Sequence, residues 1–280
     1  MDATSERSHT PLLHWSFDHG VASKPAHFGD ELIRILRDYW ADPSGAAEFG
    51  ATAVGERTVV RYQVLPNYRI GDRYRDGSVL PVASLAIAST AGTDGTGAHE
   101  VSYENTASGE RLDARFETTN DAMQTVTGSF QLEVENRAPD AYRCFSVEGR
   151  VRQHDAHAGG AIELTANGLA LAAREWRGAP LVTPWTIPAV LPRIETQVEV
   201  AVLEDLEQLR EPARIVPLDG WAWPAPNQDL PPLQGWCLHG SGLLPLYYWV
   251  DPDDVAVIVS GLYATWVVTR KDSDPHISPG

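Results

Sequence analysis

The stretch Ser129-Phe130-Gln131-Leu132-Glu133-Val134-Glu135 alternates apolar and polar side chains without interruption. Successive side chains of a β-strand point to opposite faces of the sheet, so this alternation predicts a strand with one buried face and one solvated face. The same period of two recurs in Ile194-Glu195-Thr196-Gln197-Val198-Glu199-Val200. We therefore predict a protein built mainly from antiparallel strands.

Turn clusters separate further segments of the same kind. Asn167-Gly168 is the strongest hairpin signal, because both residues readily adopt the positive φ angles of a tight two-residue turn. Turns recur every ~8–15 residues, a spacing typical of antiparallel sandwiches and barrels. The fold predicted is an antiparallel lipocalin-like β-barrel or two packed β lobes. Its strands are predicted at 57–64, 80–89, 99–105, 111–117, 125–135, 142–152, 161–166, 169–174, 246–250, 255–260 and 262–269.

One N-terminal helix is predicted at residues 30–41. Asp30 can cap its first turn, and Pro43-Ser44-Gly45 ends it. Apolar residues recur with the helical period of 3.6 at Leu32, Ile33, Leu36, Tyr39 and Trp40.

Prolines punctuate the apolar stretch 179–192, at Pro180, Pro184, Pro188 and Pro192. Proline at this density is incompatible with the middle of a helix or a sheet. We expect a crossover between two lobes, or a segment that closes one end of a barrel. The chain then divides into a helix-plus-meander lobe at 1–178, this crossover, and a Trp-rich β lobe at 193–280, unless one barrel spans all three. Residues 271–280 are expected to fray.

The net charge of -16 argues against a nucleic-acid partner, because binding to phosphates needs a surplus of Lys and Arg. The same charge disfavours an anionic membrane surface. The first residues lack the apolar region of a signal peptide, and no run reaches the ~18 apolar residues of a membrane span. Two cysteines, Cys144 and Cys237, fit a reducing compartment. We therefore expect a cytoplasmic protein that binds neither nucleic acid nor a membrane. The sequence does not decide whether the chain forms a homodimer.

Lysine is scarce, since only Lys24 and Lys271 occur among the 22 basic residues. Both lie in polar segments near the ends of the sequence, where an amine is expected to stay solvated. Schiff-base and pyridoxal chemistry require a buried lysine amine. The sequence therefore argues against that class of enzyme.

Cofactor and nucleophile motifs are absent from the sequence. It contains no glycine-rich nucleotide motif and no nucleophile elbow. His154 and His157 border Gly159-Gly160, whereas a zinc site usually needs three protein ligands on rigid supports. Asp251-Pro252-Asp253-Asp254 lacks the glycine and glutamate of a calcium loop and is interpreted as a hairpin turn. We expect neither a metal nor an organic cofactor.

Most of the nine tryptophans lie beyond residue 175. Aromatic walls with few polar groups suit a cavity for a bulky apolar ligand, while packing in a β core is the alternative for each residue. A loop rich in Arg and Tyr contains Tyr68 and Arg69, which are candidates for binding an anionic or carbonyl end of the ligand. The predicted wall consists of Trp185, Trp221, Trp223, Trp236, Tyr247, Trp249 and Trp266.

The β meander, the Pro-rich crossover and the final segment Gly261-Leu262-Tyr263-Ala264-Thr265-Trp266-Val267-Val268 together carry a resemblance. In these features the chain resembles lipocalin-like proteins of natural-product pathways, which are related to carotenoid hydratases (hydroxyneurosporene synthases). That group includes cyclases of the Diels–Alderase type. The resemblance implies a cofactor-independent cyclase of a bulky, largely apolar, polyketide-type precursor, with [4+2] cycloaddition as one form of the reaction. No catalytic residue is assigned by motif.

Two other classes of protein fit the same observations. A non-catalytic lipocalin-like carrier would have the same aromatic cavity without turnover. An acid–base hydratase or isomerase, or a sugar-active β enzyme, would use a pair among the 38 acidic residues. In each case the expected partner is a small molecule. For the cyclase and for the carrier, this small molecule is expected to be hydrophobic.

Overall fold

The computed structural model confirms a mainly β chain with an N-terminal helix. It describes residues 25–41, 55–67, 81–92, 96–105, 109–118, 126–135, 144–155, 159–204, 208–218, 231–262 and 264–274. The helices are α1 (Pro25–Ala41), the short α2 (Ile187–Val190) and a 3-10 turn, Leu191–Arg193. Within these residues, no helix is both long and apolar enough to cross a bilayer.

The first strands follow one another as a meander. They are β1 (Arg57–Pro66), β2 (Ala83–Ala91), β3 (Gly97–Asn105), β4 (Glu110–Thr118), β5 (Val126–Glu135), β6 (Cys144–Asp155), β7 (Gly159–Ala166), β8 (Leu169–Ala170) and β9 (Arg174–Trp176). The remaining strands are β10 (Leu181–Val182), β11 (Val198–Glu204), β12 (Gln208–Pro217), β13 (Gln234–Gly240), β14 (Leu243–Val250), β15 (Ala256–Ser260) and β16 (Ala264–Asp274).

All sixteen strands belong to one sheet, in the order β10 to β16, then β1 to β8, with β9 on β7. The pairs are antiparallel except for β10 with β11. Strand β1 joins the two halves of the chain, because it pairs with β2 on one side and with β16 on the other.

The segment 174–182 borders both ends of this sheet. Through β9 it pairs with β7, where Trp176 lies opposite Gly160, and through β10 it pairs with β11, where Leu181 lies opposite Ala201. The terminal strands β8 and β10 do not pair with each other. The sheet is therefore barrel-like, with a broken strand where a closed barrel would complete its hydrogen bonds.

The sheet packs around one large hydrophobic core, here called the interior core. It contains buried side chains from α1, from strands β1 to β4, β6 and β7, from β9 to β11 and from β14 to β16. Helix α1 contributes Leu32, Ile35, Leu36 and Tyr39, which lie on one face of the helix. The helix predicted at 30–41 is thus confirmed, and it begins earlier, at Pro25.

A second core lies on the other face of strands β11 to β15. In β11, Val200 and Val202 belong to the second core, whereas Ala201 and Leu203 belong to the interior core. The Pro-rich stretch supplies part of the second core through Ile187, Val190 and Leu191. Pro188 and Pro192 lie in the first turn of α2 and of the 3-10 turn, where proline is tolerated, and the chain crosses the sheet face as these short turns.

The turn chemistry predicted from the sequence is confirmed at two hairpins. Asn167 and Gly168 both have positive φ, 49° and 77°, and join β7 to β8. The turn 251–254 joins β14 to β15, and Asp254 adopts a φ of 60°. Asparagine, aspartate and glycine tolerate this left-handed backbone better than other residues.

Two expectations from the sequence are wrong. Residues 271–274 do not fray but form the end of β16, because Val60 and neighbouring residues of β1 pair with them. Of the alternating stretch 194–200, only the last three residues are in a strand.

Candidate functional site

Four ionisable side chains are buried together where α1 meets the sheet. They come from four separate elements: Tyr39 from α1, Tyr62 from β1, Asp251 from the β14–β15 turn and Lys271 from β16. All four are buried, with relative exposures of 7%, 3%, 4% and 7%. Buried charges are costly unless they are paired, so this group, here called the buried cluster, stands apart from the hydrophobic residues around it.

Asp251 is held by its own turn. Its Oδ1 accepts hydrogen bonds from the backbone N–H groups of Asp253 (3.0 Å) and Val255 (2.9 Å). Its Oδ2 is buried without a hydrogen-bond partner among the described residues. Burial raises the pKa of this carboxyl, and the two N–H donors and the charge of Lys271 only partly oppose the rise. The carboxyl therefore has one oxygen ready for a proton or a ligand.

Lys271 corrects the expectation that both lysines lie in solvated segments. Its position in β16 is opposite Val60, whose side chain packs against the interior core, and residues directly opposite one another lie on the same face of a sheet. Burial lowers the pKa of the Lys271 amine, while nearby carboxylates, Asp251 first, oppose the fall. Lys271 is therefore a buried amine, which is what amine chemistry requires.

The two tyrosines keep their protons. Burial, together with the negative charge of Asp251, raises the pKa of both Tyr39 and Tyr62 well above the ordinary value. Tyr62 also contacts the ring of Trp266 edge-on, with centroids 6.4 Å apart. A neutral phenol acts as a hydrogen-bond donor, so each tyrosine can donate to an oxygen that gains negative charge.

Together these groups provide the parts of an acid–base centre. A desolvated carboxyl is a stronger base than an exposed one, a desolvated ammonium group is a stronger acid, and phenols can stabilise an oxyanion. Sequence reasoning missed this site because Asp251 was explained by its hairpin turn and Lys271 by its nearness to the chain end. The available signal was a lysine that directly continues the β pattern Val267-Val268-Thr269.

We predict that the Lys271 amine loses its proton at lower pH than an ordinary lysine. The measurement is the rate of acetylation of the Lys271 amine as a function of pH, followed by mass spectrometry of the peptide that contains it. The reference is Nα-acetyl-lysine amide, whose ε-amine is free. The midpoint should fall below the ordinary value of 10.5. Asp251→Asn should lower it further, because that substitution removes the charge that favours the ammonium form. A midpoint at or above the reference would contradict burial of the amine.

The structure places the predicted aromatic wall on two sides of the sheet. Trp249 is fully buried in the interior core, and Trp185 and Trp266 are partly buried against it. Trp236 is buried in the second core, and Tyr247 is half-buried in β14. Trp221, Trp223, Tyr68 and Arg69 lie outside the described residues. The assignment of these residues to a ligand-binding wall stays a prediction.

Side chains able to bind a metal ion do not cluster in the part of the chain that the structure describes. The described residues contain no group of three or more His, Cys, Asp or Glu able to hold an ion. The side chains of His154 and His157 are outside that description. No metal or cofactor enters the chemistry derived from the buried cluster.

Comparison with known proteins found few similarities. No protein-family model and no curated protein matches the chain. One solved structure that is similar is the beta-barrel-like protein of the domain of unknown function DUF1849 from Brucella abortus. It has 9% sequence identity and a TM-score of 0.46, and the match covers 79% of this chain and 99% of that one.

Proposed function

We propose that this chain is a cofactor-independent cyclase of a bulky, largely apolar, polyketide-type precursor, with the buried cluster as its acid–base centre. The observation that carries the proposal is the Asp251 carboxyl, whose Oδ2 is buried without a hydrogen-bond partner among the described residues. A purely structural carboxylate in this turn would be expected to use both oxygens. The resemblance to lipocalin-like cyclases supports the same class of reaction.

The chemistry needs no group beyond the four side chains. Asp251, as carboxylate, removes a proton from a carbon that lies between two carbonyl groups of the substrate. The resulting enolate carbon forms a bond to a distant carbonyl carbon of the same molecule, and the oxygen of that carbonyl takes a proton from Lys271. The product has the atoms of the substrate, and the proton on Asp251 returns to Lys271 to reset the site.

The tyrosines and the burial of the site lower the barrier to this reaction. Tyr39 or Tyr62 can donate a hydrogen bond to the carbonyl that becomes an alkoxide, in a setting where water does not compete. Holding a flexible chain in its reactive fold adds several kcal/mol of rate advantage. A [4+2] ring closure would depend only on holding the substrate in its reactive fold. Trp185 and Trp266, which pack against the interior core, would supply the aromatic surface.

The proposal is tested with a panel of linear polyene and poly-β-ketone precursors. Tryptophan fluorescence measures binding, and mass spectrometry with chromatography detects the cyclised isomer or its dehydrated form. Asp251→Asn is expected to lower the rate of cyclisation about 10²-fold or more, because it removes the base. Lys271→Met should also slow the reaction. Asp253→Asn is the matched control, because Asp253 is exposed in the same turn, and it should leave the rate within about threefold.

Two results would overturn the cyclase proposal. Binding of precursors without faster conversion would favour the alternative of a non-catalytic carrier. Equal rates for Asp251→Asn and the unsubstituted protein would show that ring closure does not use the buried cluster. The proposal includes the cytoplasm as location and a hydrophobic small molecule as partner.

A further inference from the structure

A groove of ≈ 930 Å³ lies on the outer face of the sheet, opposite the interior core, and is lined by residues of β1 to β4, β6 and β7. In β4, Leu112, Ala114 and Phe116 belong to the interior core, while Asp113 and Arg115 between them face outward and line the groove. The side chains of Val59, Ala86 and Ala88 are small or apolar and line part of it. Long charged side chains line most of the remainder.

Two arginines of the groove share one row across the sheet. Arg115 of β4 and Arg150 of β6 are both in register with Ser129 of β5, which lies between them. Because neighbouring strands are ~4.8 Å apart, the two arginines are about 10 Å apart at their Cα atoms. Residues in one row point to the same face, so both guanidinium groups flank the same part of the groove.

Two carboxylates occupy the next row on the same strands. Asp113 of β4 and Glu148 of β6 are in register with Gln131 of β5. Each lies two residues along its strand from an arginine of the first row, so the rows are about 7 Å apart. The centre of the groove thus holds two arginines beside two carboxylates, and Glu100 and Glu163 lie at the two ends of the arginine row.

These four charged side chains make no ion pair or hydrogen bond within the part of the chain that the structure describes. The acids nearest in register to the arginines are bonded elsewhere. Glu100, opposite Arg115, binds Arg57 at 2.9 Å, and Glu163, opposite Arg150, binds Arg152 at 3.3 Å. The charges of the two rows are therefore available to a ligand.

We propose that this groove binds a small zwitterion whose anionic and cationic groups lie about 7 Å apart. The anion would lie between Arg115 and Arg150, and the cation between Asp113 and Glu148. Guanidinium groups bind carboxylates and phosphates through paired hydrogen bonds, and carboxylates bind ammonium groups.

Charge complementarity distinguishes a zwitterion from simpler ligands. A simple anion is attracted by the two arginines but repelled by the two carboxylates. A simple cation is attracted by the two carboxylates but repelled by the two arginines. The proposal is independent of the buried cluster, because the groove and the interior core lie on opposite faces of the sheet.

The test uses 6-aminohexanoate, whose extended chain holds its ammonium and carboxylate groups about 7 Å apart. Hexanoate and hexylamine are the matched probes that lack one charge. Binding is measured by NMR titration of the labelled protein at low salt, since exposed charges are screened. We expect 6-aminohexanoate to bind at least about tenfold more tightly than either probe, because both rows contribute.

Variants separate the groove from the rest of the surface. Arg115→Gln and Glu148→Gln should each weaken binding of 6-aminohexanoate to the level of the singly charged probes. Both residues are exposed, so the fold should not change. Arg174→Gln and Glu195→Gln, at exposed positions outside the groove, are the controls and should bind normally. Equal binding of hexanoate and 6-aminohexanoate, no saturable binding, or no effect of the groove variants would overturn the proposal.

Discussion

Replacing Trp249 by alanine is expected to lower the free energy of unfolding by roughly 3–5 kcal/mol, the usual cost of removing a large aromatic side chain from a core. Trp249 is fully buried in the interior core. Its ring also covers Gly235 on the neighbouring strand, where an added Cβ would lie 2.8 Å from the ring. The indole therefore fills space that no neighbouring side chain can take over. Urea unfolding followed by circular dichroism measures the change.

Trp266→Ala is the comparison for this prediction. Trp266 keeps part of its surface in solvent, and it contacts Tyr62 edge-on. Losing that contact and partial burial should cost roughly 1–2 kcal/mol. If Trp249→Ala unfolded like the unsubstituted protein while binding of the precursors weakened, Trp249 would be a wall residue and not a core residue.

Lowering the pH from 7 to 5 is expected to remove about 2 kcal/mol of stability through His99 alone. His99 is 4% exposed in β3, and its ring nitrogens bond to Ser89 Oγ (2.9 Å) and Thr118 Oγ1 (3.3 Å). Burial, with a smaller effect of the positive charge of Arg193, lowers its pKa from 6.5 to about 4. At a pH between these two pKa values, the imidazole is therefore neutral in the folded chain but protonated in the unfolded chain.

The direction of the effect follows from that difference. The stabilisation is complete above pH 6.5 and is lost as the pH falls through the window between 6.5 and about 4. His99→Gln cannot titrate, so its urea midpoint should depend less on pH than that of the unsubstituted protein. His239→Gln, at an exposed position, is the control and should keep the full dependence. Identical pH profiles for the His99 variant and the unsubstituted protein would contradict a buried neutral His99.

The residues of the first half of the chain specified most of its local structure. The alternation at 129–135 became β5, and the Asn167-Gly168 turn joins two strands as predicted. These features are local, because a strand needs only side chains of alternating polarity and a tight turn needs only residues that accept positive φ. The same reasoning identified α1 from five apolar positions.

Strands β11 to β13 were harder to predict than β14 to β16, and burial on both faces is one reason. In β11, the side chains of residues 200–203 alternate between the two cores instead of between a core and water. All four side chains are therefore apolar, and no polar side chain alternates with them. Strand β13 was missed for the same reason, since Trp236, Cys237 and Leu238 are all buried. Strand β12 was not predicted either, because Pro212 and the charges around it interrupt any apolar alternation, yet both neighbouring strands pair with it.

The candidate sites depend on distances between residues that are far apart in the sequence. By itself, the sequence determined a mainly β chain with a helix at its start, turns at particular residues and an acidic surface. Only the tertiary structure brought Tyr39, Tyr62, Asp251 and Lys271 into one buried group, and only the strand register set Arg115 and Arg150 in one row. The physical reason is that burial and register are properties of paired strands. A lysine or an aspartate has no fixed environment until the strand beside it is known.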